Sequence, residues 1–187
     1  MTKPLLYLDV DGPLNPYAAK PHRRPAGYQT HRMMPPSWAE RHEPVGGIHR
    51  YTKPLRVWLN PTHGPALVAL TDVFDLVWAT TWEADANTFI GPVIGLPELP
   101  VVEWTSTKRR VGPEDTFWKT AELVEHAAGR PFVWVDDDIT TADRRYVNTH
   151  HAGVALLRFV HPAVGLVDDD FAVLRAWVAS VPIRQRS

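Results

Sequence analysis

The chain contains no cysteine, so it forms no disulfide and no cysteine–zinc site. It has no apolar run near the ~20 residues that a bilayer-spanning helix needs, and no membrane partner is expected. Its first residues lack a basic region followed by a long apolar segment, which predicts no signal peptide. With the absence of cysteine, this points to a cytoplasmic location. There is no internal repeat and no low-complexity stretch. A net charge of −1 and a pI near 6.8 lack the basic excess of a dedicated nucleic-acid binder.

What remains is an ordinary globular composition: 187 residues, 44% hydrophobic and 22% charged. That length supports a single domain over 1–187 with one sizeable core. The small net charge hides an uneven distribution. Residues 20–56 hold Lys20, Arg23, Arg24, Arg32, Arg41, Arg50, Lys53 and Arg56 against only Glu40 and Glu43, a local charge of +6. The rest of the chain is correspondingly acidic. A basic segment beside an acidic body implies an anionic partner or internal compensation.

Local patterns alternate between strand and helix. Residues 4–10 read as a buried strand that breaks at Gly12-Pro13. Residues 13–54 are irregular and rich in Pro, Gly, Arg and His, with one β-hairpin expected near Gly27–Met34 and Gly47–Thr52. Leu55–Leu59 reads as a short strand, and Thr62 is a candidate cap for a helix to about Asp72. Phe74–Ala79 reads as a buried strand, Trp82–Ile90 as a short helix and Pro100–Trp104 as a short strand. Gly112-Pro113-Glu114-Asp115 predicts a helix start, with Phe117, Ala121, Val124 and Ala128 on its apolar face. Phe132–Val135 is another buried strand, followed by a helix near Thr141–Asn148 and a strand over Val154–Phe159. Asp168-Asp169-Asp170 opens a last helix with a stripe of Phe171, Leu174, Val178 and Val181. This order defines an α/β domain with a mainly parallel central sheet.

In open α/β sheets, ligands bind outside the carboxyl ends of the strands. At that edge the first strand places Asp9 and Asp11, the second Thr80 and Thr81, and a later one Asp136, Asp137 and Asp138. Lys119, in the second turn of the expected helix, leans toward the same edge. Acids at the exit of a buried strand cost free energy unless compensated, and a divalent cation is one compensation. One of the three aspartates at 136–138 is expected to cap the following helix. The nine histidines fit no tight zinc-ligand spacing.

The set resembles the haloacid dehalogenase (HAD) superfamily of phosphohydrolases. The first motif is Asp9-Val10-Asp11-Gly12-Pro13-Leu14 after a strand. The second is Leu76-Val77-Trp78-Ala79-Thr80, with Thr81 as the alternative threonine. Lys119 matches the third, with Lys108 as the alternative, and Val133-Trp134-Val135-Asp136-Asp137 the fourth. The resemblance runs from residue 4 to about 160. It implies a Rossmann-like three-layer sandwich with a small flap inserted after strand one. It further implies Asp9 as nucleophile, Asp11 as acid and base, and Thr80 and Lys119 as holders of the phosphoryl oxygens. Mg²⁺ would be held by Asp9, Asp11 through its carbonyl, and Asp136, with Asp137 next in register. Gly12, Thr81, Arg50 and Lys53 are the expected substrate contacts.

The resemblance thus implies a Mg²⁺-dependent phosphomonoester hydrolase acting on a small anionic molecule, such as a nucleotide or sugar phosphate. The basic insertion keeps a second reading open, a phosphatase that processes nucleic-acid ends. A third is a regulatory protein that binds a phosphometabolite without turning it over. Tyr28, Trp38, Tyr51 and Trp82 are candidates to stack on a base, and packing is the competing role for each.

Overall fold

The computed structural model describes residues 2–41, 53–105 and 111–181. Four parallel strands form the central sheet: β1 (Leu5–Leu8), β4 (Asp75–Trp78), β5 (Phe132–Asp136) and β6 (Ala155–Phe159), in the spatial order β4-β1-β5-β6. β1 lies in the middle, pairing Leu8 with Trp78 on one side and with Val135 on the other. The segment expected to form a strand at Pro100–Trp104 contributes a single parallel bridge, Val101 to Trp78, beside β4.

Strand side chains alternate between two faces, and both faces are covered. Leu6, Leu8, Trp78, Val133 and Val135 face a core shared with α2 (His63–Val68), α3 (Gly91–Ile94) and α6 (Asp168–Ser180). Leu5, Tyr7, Val77, Phe132 and Trp134 face the opposite core, closed by α4 (Lys119–Ala127) and α5 (Thr141–His150). Each such fully buried side chain contributes about 1.5–3 kcal/mol. The fold is therefore α/β, a parallel four-stranded sheet between helices, compatible with a Rossmann-like architecture.

The inserted segment carries an antiparallel pair, β2 (Gln29–Met33) with β3 (Leu55–Leu59), and a short helix α1 (Pro36–Arg41) between them. The partner of β2 is thus Leu55–Leu59; the other expected hairpin arm, Gly47–Thr52, lies outside the described residues. Met33, Val57 and Leu59 are buried in the main core, so this pair is anchored to the body of the domain.

Several local expectations are corrected. Thr62 does not cap α2: its own N–H and hydroxyl both donate to Asn60 Oδ1. The helix expected over Trp82–Ile90 begins later, as a π-helical turn at Ala86–Ile90 that runs into α3. Pro113 opens a separate 3₁₀ turn rather than α4, because Glu114 and Asp115 adopt positive φ and interrupt the helical path. Consequently Lys119 is the first residue of α4. The buried face of α4 is Lys119, Thr120, Leu123 and Ala127, while Ala128 is exposed. α5 is capped by Thr140, through a capping box with Asp143, and not by one of the three preceding aspartates.

Candidate functional site

Asp9 follows β1 directly, and Asp136 ends β5, the neighbouring strand. Both carboxylates are therefore delivered side by side at the carboxyl edge of the sheet, and both are buried. Lys119 lies between them, with Nζ 2.8 Å from Asp136 Oδ2 and 3.3 Å from Asp9 Oδ2. It is 2% exposed, which is exceptional for lysine and requires paired charges. Trp134, on the same strand face as Asp136, donates its indole N–H to Asp136 Oδ2 at 3.1 Å. The Asp138 N–H donates to Asp136 Oδ1 at 2.9 Å.

The balance of charge sets the titration of this group. Burial raises the Asp9 carboxyl well above its usual range; Lys119 opposes the rise, Asp136 and Asp11 add to it, and a hydrogen bond from Thr80 opposes it. Burial alone would lower the Lys119 ammonium, but Asp136 and Asp9 outweigh it and raise the net value. Asp137 is pushed up to about 6 by burial, with Asp136 adding to the rise. Asp138 is raised by the same two causes. One ammonium thus faces an excess of carboxylate.

Asp9, Asp136 and Asp137 each present an oxygen within 4.8 Å of the others. An all-oxygen carboxylate set of this kind could hold a hard divalent cation. Asp138 is outside this cluster, and so is the carboxylate of Asp11. The Asp137 carboxylate also accepts from the Tyr17 hydroxyl at 3.0 Å. Gly12 allows this approach: its φ is +90°, and a Cβ there would lie 2.4 Å from Asp137 Cγ.

Asp11 is held differently. Asn15 Nδ2 donates to its Oδ1 at 2.7 Å, and the Trp82 indole N–H donates to its Oδ2 at 3.0 Å. Asn15 in turn accepts the backbone N–H of Trp58 at 3.0 Å, which ties the Asp11 turn to β3. Trp82 reaches Asp11 because the chain after β4 makes a tight turn, with Glu83 at positive φ. Trp82 is buried, so it serves as a donor and wall. Tyr28 is likewise buried, against His63 and in a cluster with Trp58.

Of the two threonines, Thr80 is fully buried, accepts the Trp82 N–H at 3.3 Å and acts to lower the Asp9 carboxyl against the rise from burial. Thr81 is exposed and lines the cavity above the acids. That cavity measures about 740 Å³. It is lined by Asp9, Asp11, Asp137, Asp138 and Lys119 together with Arg32, Lys53 and Arg56, with Trp38, Trp82 and Phe117 also in its walls. Arg50, Lys108 and Tyr51 lie outside the described residues.

The structure thus brings Asp9, Asp11, Thr80, Lys119, Asp136 and Asp137 together, with Gly12, Thr81 and Lys53 around them. Sequence reading does not single out Asn15, Tyr17 or Trp134, and it offers Trp82 as a stacking candidate and not as the donor to Asp11 that it is. Trp134 carried a usable signal, since it stands two residues before Asp136 on a strand and therefore on the same face. Asn15 and Tyr17 carried none, because they sit in irregular chain. Comparison with family models, curated proteins and solved structures finds no match.

Proposed function

We propose that this chain is a phosphomonoester hydrolase of the HAD type, dependent on Mg²⁺ and acting on a small anionic phosphate ester. The observation that carries this reading is the convergence of Asp9, Asp11, Thr80 and Lys119 with the carboxylates of Asp136 and Asp137 at one sheet edge, beneath an open cavity.

In this reading an oxygen of Asp9 attacks phosphorus, and the bond from phosphorus to the ester oxygen breaks. Asp11 gives its proton to the departing alcohol. The Asp9 acyl-phosphate is then hydrolysed by water, whose proton Asp11 takes back, restoring both carboxyls. Asn15 and Trp82 fix the Asp11 carboxyl so that it can serve both half-reactions from one position. Lys119 and Thr80 keep Asp9 oriented and offer donors to the phosphoryl oxygens. Asp9, Asp136 and Asp137 are the side chains that would hold Mg²⁺, which supplies positive charge to the transferred group. The carboxyl pair Asp9 and Asp11 favours phosphoryl transfer over pure ligand binding, since a binder needs neither nucleophile nor acid.

Phosphate release from a generic aryl phosphate tests this directly. Turnover is expected with Mg²⁺, none with chelator, and none for Asp9→Asn. Inactivity across a broad panel of phosphate esters would refute the proposal.

A further inference from the structure

The outward face of the β2–β3 pair carries two arginines in direct opposition. Arg32 and Arg56 are cross-strand partners in the antiparallel register, so their side chains leave the same face side by side. Like charges directly opposite each other destabilise a sheet. Among the described residues, neither Arg32, Arg56 nor Lys53 forms an ion pair with a carboxylate. Arg56 instead lies over the Trp58 ring, 4.1 Å from its centroid, and that indole is fixed by donating to Thr30. The guanidinium is thus held in place with no neutralising carboxylate among the described residues. All three cations line the same cavity as Asp9, Asp11 and Lys119. At about 740 Å³ that cavity is far larger than one phosphate group requires and falls in the range of sites for drug-sized ligands.

We infer that Arg32, Arg56 and Lys53 form a second anion subsite, which takes a further phosphate group of the substrate while the scissile one sits at Asp9. The substrate class is then a small molecule bearing two separate phosphates. This rests on the hydrolase reading above and narrows it. The subsite gives a role to two arginines that stand opposite each other with no acidic partner among the described residues: an anion between them removes their repulsion and supplies guanidinium–phosphate hydrogen bonds. The acidic part of the cavity makes the division of labour strict. An anion without a compensating cation is repelled from the carboxylates, so the second phosphate is directed to the arginine wall.

The experiment compares kcat/KM for an aryl phosphate, a nucleoside 5′-monophosphate and a nucleoside 3′,5′-bisphosphate, in wild type, Arg32→Gln and Arg32→Gln/Arg56→Gln. The bisphosphate is expected to exceed the monophosphate by about tenfold or more in wild type, the equivalent of one good charged hydrogen-bond pair. The arginine variants should lose that preference through KM. The single variant, which relieves the opposed charges, should also melt higher than wild type without ligand and be stabilised less by the bisphosphate. Absence of phosphate release from all three substrates in wild type would refute the hydrolase reading itself. Aryl phosphate hydrolysis with no preference for the bisphosphate, or with a preference that survives both substitutions, would overturn the subsite alone. Preference for a terminally phosphorylated oligonucleotide over the bisphosphate would overturn the assignment to a small molecule.

Discussion

Lys119 is the residue on which the local electrostatics turn. Its burial is matched by its ion pairs to Asp9 and Asp136, and it opposes the rise that burial imposes on the Asp9 carboxyl. Removing one partner of a buried ion pair leaves charge with no compensation. Lys119→Met should therefore cost about 3 kcal/mol or more in denaturant unfolding, together with loss of turnover. Asp137 tests the opposite side of the balance. Its carboxyl is raised to about 6 by burial, with Asp136 adding to the rise, so the folded chain disfavours its ionised form. The penalty is absent below its ordinary value of 3.8, grows between 3.8 and about 6, and is complete above that. Asp137→Asn should raise the melting temperature of the metal-free protein at pH 8, and the gain should fade as pH falls toward 4. An equal gain at all pH values would show that the cause is not ionisation.

Among the elements, the strands were the most legible and α4 the least. β1, Leu76–Trp78 of β4 and Phe132–Val135 of β5 are continuous apolar runs because both sheet faces are covered there, whereas the edge strand β6 is half-buried and carries Arg158. Because the acids follow those strands directly, Asp9, Asp136 and Asp137 could be placed from sequence. α4 misled because its buried face includes Lys119 and Thr120, polar residues placed by the site and not by hydrophobic period. Its predicted start at Pro113 failed where Glu114 and Asp115 take positive φ, a conformation that sequence does not signal at acidic residues. Asp143 resolves how α4 and α5 are joined. It accepts from the Phe117 N–H and the Thr120 hydroxyl just beside Lys119, and from Thr140 at the start of α5. Thr140 completes the cap, and Thr140→Ala should cost about 1 kcal/mol by thermal denaturation. A change near zero would mean that the cap does not contribute to holding α5.

At the scale of the whole molecule, charge is segregated by architecture. The carboxyl edge of the central sheet is acidic, and the β2–β3 pair with the chain just before β3 brings Arg32, Arg56 and Lys53 to the same cavity. The +6 charge of residues 20–56 was visible in composition, but its direction was not, because register alone decides that Arg32 and Arg56 share a face. No helix among the described residues is long and apolar enough to cross a membrane. The proposed hydrolysis depends on covalent phosphorylation of Asp9 during turnover. Acid quenching of the enzyme during steady-state hydrolysis of an aryl phosphate with Mg²⁺, followed by peptide mass spectrometry, reads this directly. A phosphate adduct is expected on Asp9 in wild type and none in Asp9→Asn. Sustained turnover with no adduct, or an adduct on a different residue, would contradict it.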